Sequence, residues 1–66
     1  MATTQQIKDQ VAVFLSEDAK FAAGNSAAGT RARKALAELS KTLKTRRNEI
    51  TAEKNARKEA KAAMGQ

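Results

Sequence analysis

The chain contains no proline, and the run Gly24-Asn25-Ser26 is the one place where its helical periodicity breaks. A sequence punctuated this way reads as two helices and a turn. Before the break, Ile7, Val11, Phe14, Phe21 and Ala22 share one face, with Leu15 at its edge, and the three- and four-residue spacing marks an amphipathic helix. Thr3-Thr4-Gln5-Gln6 reads as a capping box. Gly24 suits the left-handed conformation just past a helix end, and Asn25 or Ser26 suits the cap of the next helix. The second stripe is Ala28, Ala32, Ala35, Leu36, Leu39, Leu43 and Ile50, small near the turn and large beyond it. Past Ile50 the stripe fails, because Glu53 and Arg57 take its next places.

A tight turn makes successive helices antiparallel neighbours. The register then sets Ala22 beside Ala28, Val11 beside Leu39 and Ile7 beside Leu43, and leaves residues past about 48 without a partner. The expected fold is all-α: a single-domain antiparallel helical hairpin over 1–66, helix one about 4–23 and helix two about 26–62. Residues from about 51 to 66 are expected to be a solvated, frayed helix end, with Gly65 near its limit. So short a chain buries a modest fraction of its surface. With no cysteine for a disulfide and no histidine or cysteine for a soft metal site, well-formed helices and self-association are the remaining stabilisers. Val13, off the main stripe, and the unpaired Ile50 point the same way, toward a dimer or a four-helix bundle. A monomer that orders fully on DNA is the alternative.

The charge is divided between the helices. Residues 1–30 hold Lys8 and Lys20 against Asp9, Glu17 and Asp18, a net −1; residues 31–66 hold eleven basic residues against Glu38, Glu49, Glu53 and Glu59, a net +7; the two sum to the chain's +6. Arg33, Lys34, Lys41 and Lys44 are expected to spread over the face opposite the apolar stripe, and Arg47, Lys54, Lys58 and Lys61 to form a second ridge toward the flank. A linear basic strip matches duplex DNA, which carries one negative charge per roughly 1.7 Å of its axis. Contact with four to six phosphates implies a log–log salt slope of roughly −4 to −5. Asn48 and Asn55 can reach adenine edges in principle, but they read as solvated asparagines. The i,i+4 pairs Lys34–Glu38 and Glu53–Arg57 neutralise four of the fifteen charges in residues 31–66, and the remainder is lopsided.

Three other features carry expectations. The run 24–31 starts a helix with free N–H groups beside Arg31, which suits a phosphate; it suits better a plain cap and a close helix crossing, with Gly29 admitting the backbone of helix one. Asp18, on helix one's apolar face, needs a partner, and the register offers Arg31 for an ion pair. Arg46, on helix two's stripe, can reach water along its aliphatic stem. Catalysis has no support: there is no histidine, cysteine or tyrosine, and Ser16, Ser26 and Ser40 have no base. No cofactor is implied. No signal peptide or membrane-length apolar run is present, so a cytoplasmic protein is expected.

The run Gly24-Asn25-Ser26-Ala27-Ala28-Gly29-Thr30-Arg31-Ala32-Arg33-Lys34-Ala35-Leu36, followed by Arg46-Arg47-Asn48-Glu49-Ile50, resembles the bacterial linker-histone-like family, whose best-known members are the chlamydial histone-like proteins. The resemblance covers roughly residues 14 to 54. It implies a nucleoid-associated, architectural DNA-binding protein with little sequence preference, and it singles out Arg31, Arg33 and Lys34. It is a resemblance to a short form: the chlamydial members continue into a long Lys/Ala-rich tail that is not found after Lys61. Short chains of this kind also resemble products of phage genomes, which would place the protein in a host's cytoplasm. The competing readings are a protein–protein module whose charge only confers solubility, and an RNA-binding protein.

Overall fold

A computed structural model of the chain describes residues 2–64. It holds two helices, α1 (Ala2–Ala22) and α2 (Ser26–Met64), folded back on each other as an all-α antiparallel hairpin. The molecule is a rod of 63 × 15 × 14 Å, its length set by α2, whose 39 residues span about 58 Å. Gly65 lies outside the described residues.

The turn is built as its residues dictate. Gly24 sits at φ 108°, the left-handed conformation that a side chain opposes. The Gly24 N–H donates to the Phe21 carbonyl (2.9 Å) and the Asn25 N–H to the Lys20 carbonyl (3.0 Å), the paired closing bonds of a Schellman motif. Asn25, rather than Ser26, is the cap of α2: its Oδ1 accepts the Ala28 N–H at 3.2 Å. The other cap is not formed. Thr3 lies inside α1, and its hydroxyl donates across the hairpin to Glu49 Oε2 at 2.9 Å, because a carboxylate is a stronger acceptor than a neutral partner in the first turn.

The helices meet along one line each. On α1 it runs Thr3, Ile7, Gln10, Phe14, Glu17, all partly buried; on α2 it runs Ala28, Ala32, Ala35, Leu39, Thr42, Arg46, Glu49. Both alternate steps of four and three, the heptad spacing of a left-handed coiled-coil seam. The register is the expected one, with Phe21 over Gly29, Glu17 on Arg31 and Thr3 on Glu49. The rotation of α2 is not. Leu36, Leu43 and Ile50 are 45%, 43% and 44% exposed, whereas Ala28, Ala35 and Thr42 are 0%, 5% and 8% exposed. Three alanines near the turn draw the helices together, and their line, continued at heptad spacing, leads to Thr42, Arg46 and Glu49 instead of to the large side chains. On α1, likewise, Phe21 and Leu15 stay outside at 54% and 58% exposure while Gln10 and Glu17 lie on the seam.

Gly29 admits a side chain, not backbone. A Cβ placed there would lie 2.6 Å from Cδ1 of Phe21, so the ring rests directly on the face of α2 that the glycine leaves bare.

Candidate nucleic-acid interface

With the seam fixed, the sequence of α2 decides where its cations go. Opposite the seam, positions 33, 37, 40, 44, 47, 51, 54, 58 and 61 follow one another at alternating steps of four and three. Six of these are basic: Arg33, Lys44, Arg47, Lys54, Lys58 and Lys61. All six are exposed, and among the described residues none is held by an acidic side chain. The two expected ridges are therefore regrouped into one outer line. Lys34 and Lys41 stand off it on the polar flank, where Lys34 lines a shallow groove with Glu17, Arg31 and Glu38. The expected Lys34–Glu38 ion pair is not made, whereas Glu53 and Arg57 do pair.

Arg31 is engaged within the hairpin. Its Nε donates to Glu17 Oε2 at 2.8 Å, and Lys20 Nζ approaches the same carboxylate at 3.7 Å. The expected partner, Asp18, is wrong by one residue, which is 100° of helix. Glu17 lies on the seam toward the flank of Arg31, whereas Asp18 faces the other flank, lining a cleft with Phe14, Phe21, Arg33 and Leu36. The Arg31 hydrogen bond holds the Glu17 carboxyl below its ordinary value of 4.5; partial desolvation against α2 opposes the shift, and the charges of Arg31 and Lys20 reinforce it.

Arg46 also does more than reach water. Its Nη1 donates to Glu49 Oε1 at 3.2 Å, and Glu49 in turn accepts from Thr3, so a polar cluster closes the open end of the seam. Heptad spacing from Ala28 was the signal that could have revealed Thr42, Arg46 and Glu49 as seam residues.

The overhang is continuous with this surface. Past Glu49 α2 continues as helix, and residues 50–61 are all exposed. Half of the outer line, Lys54, Lys58 and Lys61, lies there, so those side chains can be approached from almost any direction around the helix. Asn48 and Asn55 are exposed as well. No helix among the described residues is long and apolar enough to cross a membrane.

The family described as histone H1-like protein Hc1 matches residues 1–56 of the chain. That span includes all of α1 and the turn, and it extends on both sides of the region carrying the turn motif. Comparison with curated proteins and with solved structures finds no match.

Proposed function

The chain belongs to the histone H1-like Hc1 family, and from that premise we propose that it binds duplex DNA without sequence preference, through phosphates, along the outer face of α2. The observation that carries this reading is the outer line itself: six exposed cations on one helix, none of them in an ion pair among the described residues, and all but Arg33, which borders the cleft beside Phe14 and Asp18, set away from α1. Such a row displaces condensed counterions wherever it lies along a duplex, and that free energy does not depend on the bases. Lys34 and Lys41 extend the field at one side. Arg31 contributes mainly to the hairpin. The reading makes the protein an architectural component of a nucleoid, in the cytoplasm, that coats or bends the duplex it lies on.

A salt titration of binding to random duplex DNA tests this. Replacing Arg47, Lys54 and Lys58 together by Ala should flatten the log–log slope by roughly 2.7, about 0.9 for each lost phosphate contact. The thermal midpoint should stay within the range of an ordinary surface change, about 0.5 kcal/mol per site. Replacing Lys34 and Lys41 should flatten the slope less than any two residues of the outer line. Unchanged affinity in the triple variant would remove the outer line as the binding surface. A duplex RNA of equal length in the same titration decides between the two polyanions, since phosphate contact alone does not discriminate them.

A further inference from the structure

The hydroxyls along the middle of α2 are of two kinds. Thr42, Thr45 and Thr51 each donate to the carbonyl four residues back, at 3.2, 3.1 and 3.0 Å, a common arrangement for a hydroxyl inside a helix. Ser40 makes no hydrogen bond to any described residue. It is exposed on the outer line, between Ala37 and Lys44. There it lines a shallow groove with Lys41, Leu43, Lys44 and Arg47. Three cations and an uncommitted hydroxyl thus border one hollow, and no acidic side chain does. The nearest acid in the sequence, Glu38, lines a different groove with Val13, Glu17 and Arg31. From Leu39 to Asn48 the chain has no acidic residue.

We propose that this groove is the seat of a single phosphate group, with Ser40 as a binding residue of the outer line. The inference rests on the DNA reading and says where on α2 a phosphodiester is held. Ser40, Lys44 and Arg47 succeed one another at one-turn steps, roughly 5 Å apart along the axis. The short serine leaves room for a phosphate to approach the helix, and its hydroxyl donates to a non-bridging oxygen. The Arg47 fork matches the two non-bridging oxygens, and Lys44 adds a point charge. Lys41 reinforces the field from the flank. Leu43, 43% exposed, walls one side with hydrocarbon, and polar contacts are stronger where water is displaced. Thr51, the other hydroxyl on the outer line, is committed to the Arg47 carbonyl.

A neutral donor and a cation leave different marks on a salt titration. Losing a cation restores a counterion to the duplex and flattens the log–log slope, whereas losing a hydroxyl removes a hydrogen bond and changes no ion count.

The probe is random duplex DNA, titrated with salt. Ser40→Ala should lower affinity roughly three- to tenfold at every salt concentration, the worth of one hydrogen bond, with the slope unchanged. Thr51→Ala deletes a hydroxyl from the same line and should leave affinity and slope alone. Ser40→Asp sets a carboxylate among the cations. It should lower affinity further than Ser40→Ala does and flatten the slope by about 0.9, one phosphate contact. Circular dichroism of all three should match wild type, since both positions are exposed. If wild type binds with a steep slope and Ser40→Ala behaves as Thr51→Ala, the seat is overturned and the DNA reading stands. A flattened slope in Ser40→Ala would also overturn it, by showing that the serine only spaces the cations. Wild type that binds no duplex in dilute buffer would overturn both.

Discussion

The two ends of the hairpin are built from opposite materials. Beside the turn, α2 meets α1 with Ala28, Ala32 and Ala35, the residues on it that come closest to full burial, and Gly29 lets the Phe21 ring approach the helix closely. At the open end it meets α1 with Thr42, Arg46 and Glu49, and the bonds there run through a threonine hydroxyl and two charged groups. Close approach fixes geometry at one end, and hydrogen bonds close the other. Beyond both, α2 continues alone with half of its outer cations. The contrast separates what holds the fold from what gives it a surface: the turn end carries the structure, and the far end carries the charge.

The largest effect should come from disturbing the alanine end. Ala28 is completely buried, and Ala28→Leu forces the helices apart where they are nearest. Overpacking costs about 1–3 kcal/mol, and in a domain of this size each kcal/mol lowers the thermal midpoint by about 4–8 °C. The same change in the overhang, Ala56→Leu, adds a side chain at an exposed position and should shift stability by no more than about 0.5 kcal/mol. Equal losses in the two variants, measured by thermal melting, would mean that the ends do not differ as described.

A smaller, opposite effect should sharpen the comparison from the middle of the seam. Gln10 lies on the interface line of α1, and its Oε1 is buried without a hydrogen-bond partner. A buried acceptor left unpaired costs about 1–3 kcal/mol. Gln10→Leu removes that cost and adds apolar contact, so it should raise the midpoint, with a gain of about 1 kcal/mol. A loss of stability would show that the amide is satisfied in solution, and that the polar part of the seam contributes more than closure.

How much of this was legible in the sequence follows from the same contrast. Gly24 and Asn25 state the turn outright, and once the turn is placed, helix length fixes the register; hence Glu17–Arg31 and Thr3–Glu49 fall where a pairing of Val11 with Leu39 sends them. Rotation about the helix axis was not legible from hydrophobicity. Leu36, Leu43 and Ile50 are the more apolar line, but a lone partner helix covers only one line, and the small residues select it. An apolar stripe too wide for one partner was the available signal. The ion pair was misassigned for the same reason: a rotation that takes Leu36 from the seam takes Asp18 to the far flank and brings Glu17 to Arg31. That the nine candidate DNA contacts lie exposed was readable from charge alone, because a helix this long and this basic exposes nearly all its cations whichever way it turns.

The smallest expected effect isolates the ion pair, Glu17–Arg31, that among the described residues joins the helices beside the turn. Arg31 holds the Glu17 carboxyl below 4.5, the value it recovers on unfolding. A carboxyl whose folded value is depressed contributes its stabilisation fully above the unfolded value and loses it as the pH falls through the folded one. The contribution is thus complete at pH 6 and is lost as the pH falls below 4.5. Wild type should lose more of its thermal midpoint between pH 6 and pH 3 than Glu17→Gln does, since the two differ in this one carboxyl. Arg31→Ala should abolish that difference, because without the guanidinium the glutamate has little reason to hold its charge. Both groups are near solvent, so added salt should narrow the gap. Parallel acid profiles in wild type and Glu17→Gln would show that the turn end is held by its alanines alone.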